Sequence, residues 1–309
     1  MAEQNADQRR WIVVSNQRAG SGQGQPALDQ LLAKSNTKAE LRVVRSPRAL
    51  TRTMNKAAHD ALERGAILVA HGGDGTVNLA ARLALELQIP LGVLPGGTYN
   101  YFARELGMPV ALEGAVQALA SSGIETVHLA SVNGHPFVLN LSLGLHSRLL
   151  RERERDMREL GRSRWVVAWS TLKGLLRPQP RLRLQLHGPH DSQKLEAAAL
   201  TVIRSPLQRQ ELGLDTDHQS LTLMSSAAQS RWELLRAALH LRLGKAHAEP
   251  TLAVHQANGF ELHALRGRRN RRLQVAVDGE QRRLRLPLKI ALDEHPLAVA
   301  RPAETTPIP

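Results

Sequence analysis

Two glycine-rich segments hold the residues best suited to chemistry. The first is Gly72-Gly73-Asp74-Gly75-Thr76-Val77-Asn78, which follows the apolar run Ala66–Ala70 and His71. Gly72, Gly73 and Gly75 carry no side chain, so an anionic ligand can come close to the backbone. A helix that starts here offers unpaired N–H groups and a partial positive charge to a phosphate. Asp74 adds a carboxylate suited to docking a metal–nucleotide complex, and Thr76 adds a hydroxyl for a phosphate oxygen. The same residues also fit a plain tight turn in which Asp74 caps the helix. The second segment, Leu94-Pro95-Gly96-Gly97-Thr98-Tyr99-Asn100-Tyr101, repeats the order of apolar run, glycine turn and polar residues. Gly97, Thr98 and Asn100 are candidates to line the same cleft. Either segment alone fits an ordinary strand–helix turn, but two at successive strand ends argue for a shared ligand.

Other chemistries find less support. The chain lacks the Gly-x-x-x-x-Gly-Lys-Ser/Thr phosphate loop and the protein-kinase motif set. Gly20-Ser21-Gly22-Gln23-Gly24 is a weaker glycine cluster. His187 and His190 read as residues of a wet loop, without metal-ligand spacing.

Elements that alternate in type must position the two segments. Strands are expected at Trp11–Val14, Leu41–Val44, Ala66–Ala70 and Leu91–Leu94, with helices at Leu28–Lys34, Ala49–Glu63 and Val77–Leu87. Such alternation predicts a parallel sheet wrapped by helices, with ligands beyond the carboxyl ends of the strands. Both glycine segments fall there. After about Val127 the pattern changes to period two, at Arg181–His187 and in parts of Leu200–Ile203, Leu221–Met224, Leu273–Val277 and Leu284–Leu292. Strands with one wet face predict an antiparallel sandwich or barrel. The expected fold class is therefore α/β: a nucleotide-binding parallel-sheet domain over residues 1–128, then a β-rich, sandwich-like domain over residues 129–292. Leu149–Leu176 interrupts the β pattern with a helical composition, arginine-rich at first and then holding Trp165 and Trp169. It reads either as a solvated helix or as an element facing a membrane surface.

Composition narrows the classes. Lys and Arg exceed Asp and Glu by 41 to 28 among 309 residues, a formal net charge of +13. That charge suits nucleotides, nucleic acid or an anionic membrane. Aromatic residues make up only 3%, too few for stacking on single-stranded nucleic acid, so a nucleic-acid role is not expected. With no cysteine there is no disulfide, thiolate metal site or cysteine nucleophile. The polar first ten residues and the lack of any apolar run near the ~18 residues needed to span a bilayer make the cytoplasm the expected location.

These residues resemble the catalytic domain of diacylglycerol kinases and their bacterial lipid-kinase relatives, with sphingosine and ceramide kinases as cousins and NAD kinases more distant. The Gly-Gly-Asp-Gly-Thr loop is common to that superfamily. Leu94-Pro95-Gly96-Gly97-Thr98-Tyr99-Asn100-Tyr101-Phe102-Ala103 is closer to its lipid-kinase branch, and Asp278-Gly279-Glu280 looks like the family's Asp-Gly-Glu. The resemblance implies an active site between the two domains, with a return of residues 293–303 to the first domain. It implies ATP phosphates on Gly72–Asn78 and polar contacts from Asn16, Ser46 and Thr98. It implies Glu280 as acceptor of the hydroxyl proton with Asp278 beside it, and Asp74 as holder of Mg²⁺ and the γ-phosphate. Asp217, followed here by His218 instead of glycine, stands where some relatives hold a structural Mg²⁺. Tyr101 replaces an aspartate common in relatives, and Arg204-Ser205-Pro206 replaces a glycine-rich stretch. Read alone, Asp278-Gly279-Glu280 also fits a type I′ hairpin turn with incidental acids. The implied activity is transfer of phosphate from ATP to a lipid hydroxyl at an anionic membrane surface. A soluble hydroxyl acceptor, or a relative that binds without catalysis, stays open.

Overall fold

The computed structural model describes residues 10–16, 25–35, 37–145, 181–188, 192–214, 220–265 and 272–302. The chain divides into two compact units, Met1–Leu129 with Asp293–Pro309, and Ala130–Leu292. The segment Leu149–Leu176, the glycine cluster at residues 20–24, His190 and Asp217 lie outside the described residues.

In the first unit, β1 (Arg10–Asn16), β2 (Lys38–Val44), β3 (Ile67–Gly72) and β4 (Leu91–Pro95) form a parallel sheet. Its spatial order is completed by β18 (Leu297–Arg301) and β5 (Gly123–Val127), giving β2-β1-β3-β4-β18-β5. β18 runs parallel to β4 and antiparallel to β5. The central strands are buried runs, Trp11–Val14 and Ile67–Ala70, because helices cover a parallel sheet on both faces. Those helices include α1 (Gln25–Lys34), α2 (Pro47–Arg64), α3 (Asp74–Leu87), α4 (Tyr101–Glu105) and α5 (Leu112–Ala120). α2 starts on the Ser46 cap with Pro47 in its first turn and ends at Gly65, whose φ of 58° suits glycine. Met54, Ala57, Ala58 and Ala61 make one buried stripe along it, and Ala80, Ala81 and Ala84 make another on α3. Small side chains let these two helices pack closely against each other.

The second unit holds two six-stranded sheets. One is ordered β10 (Ser192–Ala197), β9 (Leu182–His187), β14 (Gly259–Ala264), β17 (Leu288–Leu292), β6 (Ala130–Val132), β7 (His135–Phe137). The other runs β13 (Leu252–Ala257), β12 (Leu221–Ser226), β11 (Ala199–Ile203), β8 (Asn140–Gly144), β15 (Arg272–Val277), β16 (Glu280–Arg285). α6 (Pro206–Glu211) follows β11, and α7 (Arg231–Arg242) lies between β12 and β13. One buried cluster draws on both sheets, with Phe137, Leu184, Leu186, Phe260 and Ile290 from the first and Leu141, Leu143, Val202, Leu223 and Val275 from the second. A shared inner core between two antiparallel sheets is a β-sandwich.

Two positions read differently in three dimensions. The alternating parts of Leu284–Leu292 belong to two strands: β16 ends before Leu286-Pro287, and the chain crosses to the other sheet as β17. Proline has no N–H for the ladder, so a break falls there. His187 is not on a loop. It closes β9, with its ring 4.5 Å from that of His263 on β14.

The crossing from β7 to β8 also changes sheets, and Asp278 holds it. Its Oδ2 accepts the Val138 N–H at 2.8 Å, and its Oδ1 accepts those of Leu139 and Asn140 at 2.8 and 3.1 Å. The fully buried Arg204 donates to the Val138 carbonyl at 3.1 Å, and burial pushes its guanidinium pKa down to about 10 against the pull of Asp278. Asp278→Ala strands three backbone donors, so chemical denaturation should show a loss of roughly 3 kcal/mol, whereas Glu280→Ala, an exposed position, should cost under about 0.5 kcal/mol.

Candidate active site

Each glycine loop follows the carboxyl end of a parallel strand, β3 for one and β4 for the other. The strands are adjacent and paired up to Gly72 opposite Pro95. The Gly96 N–H continues that pairing by donating to the Gly72 carbonyl at 3.0 Å. The loops therefore leave the sheet side by side. A Cβ on Gly97 would stand 2.5 Å from the Gly73 Cα, and one on Gly72 would stand 2.8 Å from Thr76 Oγ1. Those two glycines are demanded by the chain's own packing. Gly75 is different, because a Cβ there would meet nothing within 4 Å.

Asp74 is the first residue of α3, and Gly73 occupies the cap position. The reading of Asp74 as the helix N-cap is corrected accordingly. Its carboxylate reaches across to the second loop and accepts the N–H of Tyr101 at 2.8 Å and of Asn100 at 3.2 Å. Burial raises its pKa, while these N–H groups, its own backbone N–H and the charge of Arg104 oppose the rise. Asn100 has a φ of 50°, and its side chain folds back on the turn, accepting from Gly97 N at 2.8 Å and donating to the Gly97 carbonyl at 2.9 Å. That loop is thus closed on itself and tied to its neighbour.

Beneath the loops lies a second polar layer from β1. Asn16 Nδ2 donates to Thr76 Oγ1 at 2.9 Å, and Ser15 Oγ pairs with His71 Nδ1 at 2.8 Å. Burial lowers the His71 pKa, so the ring is neutral at pH 7. A Cβ on Gly96 would come within 3.0 Å of His71 Nε2. Thr76 and Asn78 are buried on α3, as is Val77, and Asn78 Oδ1 has no partner among the described residues. Thr98 sits in the turn before α4. Ser46 is accounted for as the α2 cap, where its Oγ accepts from Ala49 N at 3.3 Å.

The acids of the late motif stand in the second unit. Asp278 and Gly279 form the two-residue turn between β15 and β16, with φ of 47° and 83°, the type I′ geometry. The turn leaves Glu280 exposed at the start of β16, where Arg282 Nη2 donates to its Oε2 at 3.3 Å. Among the described residues no group of three His, Asp or Glu side chains is arranged to hold a metal ion. Sequence reasoning found both loops but missed the Ser15–His71 pair. Its signal was the polar Ser15-Asn16 at the end of an otherwise apolar strand.

Paired glycine loops at the open end of a parallel sheet make an α/β arrangement suited to a phosphate ligand. Comparison with known sequences shows what this part of the chain is similar to. Residues 10–132 match the family described as "Diacylglycerol kinase catalytic domain". An uncharacterised protein of Synechocystis is 27% identical over 203 residues, 62% of this chain and 46% of its own length. A protein of Escherichia fergusonii named "Probable lipid kinase YegS" is 42% identical over 84 residues, 26% of this chain and 28% of its own. The aligned region thus spans less than half the length of these relatives. The fold extends further: a crystal structure of a diacylglycerol kinase from Bacillus anthracis superposes with a TM-score of 0.64 at 16% identity, covering 96% of this chain and 97% of that one.

Two outcomes test the loops. Gly97→Ala should lower stability by about 1–3 kcal/mol, because the methyl meets backbone, whereas Gly75→Ala should leave the melting temperature close to wild type and weaken nucleotide binding in calorimetry. His71 has a folded pKa below its unfolded value near 6.5. Its contribution to stability is full above that value and is lost as pH falls toward the folded pKa. Melting temperature should therefore drop more steeply below pH 6.5 in wild type than in His71→Asn.

Proposed function

We propose that this chain is an ATP-dependent lipid kinase that transfers the γ-phosphate to the hydroxyl of a diacylglycerol-like acceptor. The observation that carries the reading is Gly75. The chain's own packing gives no reason for a glycine there, whereas a phosphate lying against the start of α3 does. The buried Asn78 Oδ1, without a partner among the described residues, is a second polar group suited to a ligand. Lipid as acceptor follows from the family and from the naming of the Escherichia fergusonii relative.

In this reading the loop from Gly72 to Asn78 binds the phosphates, with Gly73, Thr76 and Val77 on one side and Gly97, Thr98 and Asn100 on the other. Asn16 orients the Thr76 hydroxyl. Mg²⁺ fits here because it is commonly held by one or two carboxylates together with substrate phosphates, and Asp74 keeps lone pairs beyond those its two loop contacts use. The ion would neutralise charge on the phosphates. Asp217 is retained as a candidate for a separate structural Mg²⁺. Glu280 takes the proton of the acceptor hydroxyl, whose oxygen bonds to the γ-phosphorus as the bond to the leaving ADP breaks. Asp278 acts through the backbone it holds and so sets the position of Glu280. The enzyme works at the membrane from the cytoplasmic side, and nucleic acid is not a partner.

The test is incubation of the full chain with radiolabelled ATP, Mg²⁺ and dispersed diacylglycerol. Label should enter a phosphatidic acid band and fall at least about a hundredfold in Glu280→Gln, in line with loss of a general base, with ATP binding retained. Asp74→Asn should lose both labelling and loop stability. ATP binding with label only in a water-soluble product would replace the lipid acceptor with a soluble one, and absence of ATP binding would overturn the kinase reading.

A further inference from the structure

The helix α7 carries an apolar face that nothing in the proposed chemistry uses. Trp232, Leu235, Leu239 and Leu243 are 76%, 39%, 54% and 57% exposed. Their spacing of three, four and four residues places them along one side of a helix and its first residue beyond. The helix is firmly set. Ser230 and Glu233 close a capping box at its start, Ala237 is buried on its inner side, and Arg236 makes two hydrogen bonds, of 3.0 and 2.9 Å, to the buried carboxylate of Glu249. The stripe is thus held outward by the inner contacts. Exposed Arg242 and Lys245 lie at the end where Leu239 and Leu243 emerge.

From this arrangement we infer that α7 is a docking element for an anionic lipid surface, with Trp232, Leu235, Leu239 and Leu243 entering the headgroup–acyl boundary and Arg242 and Lys245 meeting the headgroups. A contiguous apolar stripe in water marks a contact surface. The charge chooses the occupant. A helix with cations beside its apolar face suits an anionic bilayer, and a chain of net charge +13 is repelled by a second copy of itself. The inference rests on the lipid-kinase reading for its purpose, since an enzyme with a membrane-dissolved acceptor must dock on the surface that holds it. Its physics is independent of catalysis.

The test uses the full chain and vesicles of phosphatidylglycerol with phosphatidylcholine, beside vesicles of phosphatidylcholine alone. Co-sedimentation should favour the anionic vesicles and weaken with salt. Trp232→Ser with Leu239→Ser, and separately Arg242→Glu with Lys245→Glu, should each reduce the bound fraction by about tenfold, with melting temperature and ATP binding unchanged. Phosphorylation of a short-chain, water-soluble diacylglycerol should stay at the wild-type rate in both variants while vesicle-bound acceptor is phosphorylated more slowly. Wild-type vesicle binding in the apolar double variant would overturn the inference. So would a concentration-dependent dimer in size-exclusion chromatography that this variant abolishes, since the stripe would then be a self-interface. Anionic vesicle binding that needs α7, with no lipid labelled under any condition, would uphold the docking surface and overturn the kinase reading alone.

Discussion

The first unit depends on one carboxylate. Asp74 stands at the start of α3 and bonds the backbone of Asn100 and Tyr101, more than twenty residues later in the chain. Without that bridge the start of α3 would not be tied to the turn before α4. With it they form one surface, because the β3–β4 pairing extends through Gly96 and the second loop is locked by Asn100 onto Gly97. The constraint also gives the glycines different causes. Gly72 and Gly97 answer to close approach within the protein, whereas a Cβ at Gly75 would meet open space. A cluster that reads as uniform in sequence is mixed in physical origin.

The second unit uses a carboxylate in a similar way. Asp278 gathers three successive backbone N–H groups at the crossing from one sheet to the other, with the buried Arg204 close by. Both are ionisable groups used for architecture, which is tolerable only because hydrogen bonds and opposite charge surround them. The type I′ turn then separates the fates of two acids only two residues apart. Asp278 is bound to the backbone, while Glu280 is left exposed beside Arg282. A hairpin turn is therefore compatible with either alternative, incidental acids or a functional motif. The turn exists, and it is what presents Glu280.

The sequence was most legible where burial is continuous. Trp11–Val14, Ala66–Ala70 and Leu91–Leu94 could be read as strands because both faces of a central parallel strand exclude water, and the α/β class followed from their alternation with helices. The glycine loops were legible because glycine at a strand end narrows the conformations that fit. The alternation in parts of Leu284–Leu292 did not show where the strands divide, because its buried residues point into the same core from both sheets and periodicity continues through the change of sheet. The stripe on α7 passed unnoticed because its leucines and tryptophan look like ordinary helix core until their exposure is known.

By itself, then, the amino-acid order determined which segments are buried strands and where the chain must turn on glycine. These are local matters, settled by solvent exclusion and backbone sterics within a few residues. Tertiary structure alone decided which partners those side chains take. Asp74 caps nothing and bridges two loops, His71 is neutral against Ser15, and Asp278 holds a sheet crossing. Hydrogen-bond partners lie tens to more than a hundred residues apart in the chain, and only folding fixes the short distances at which a donor selects its acceptor.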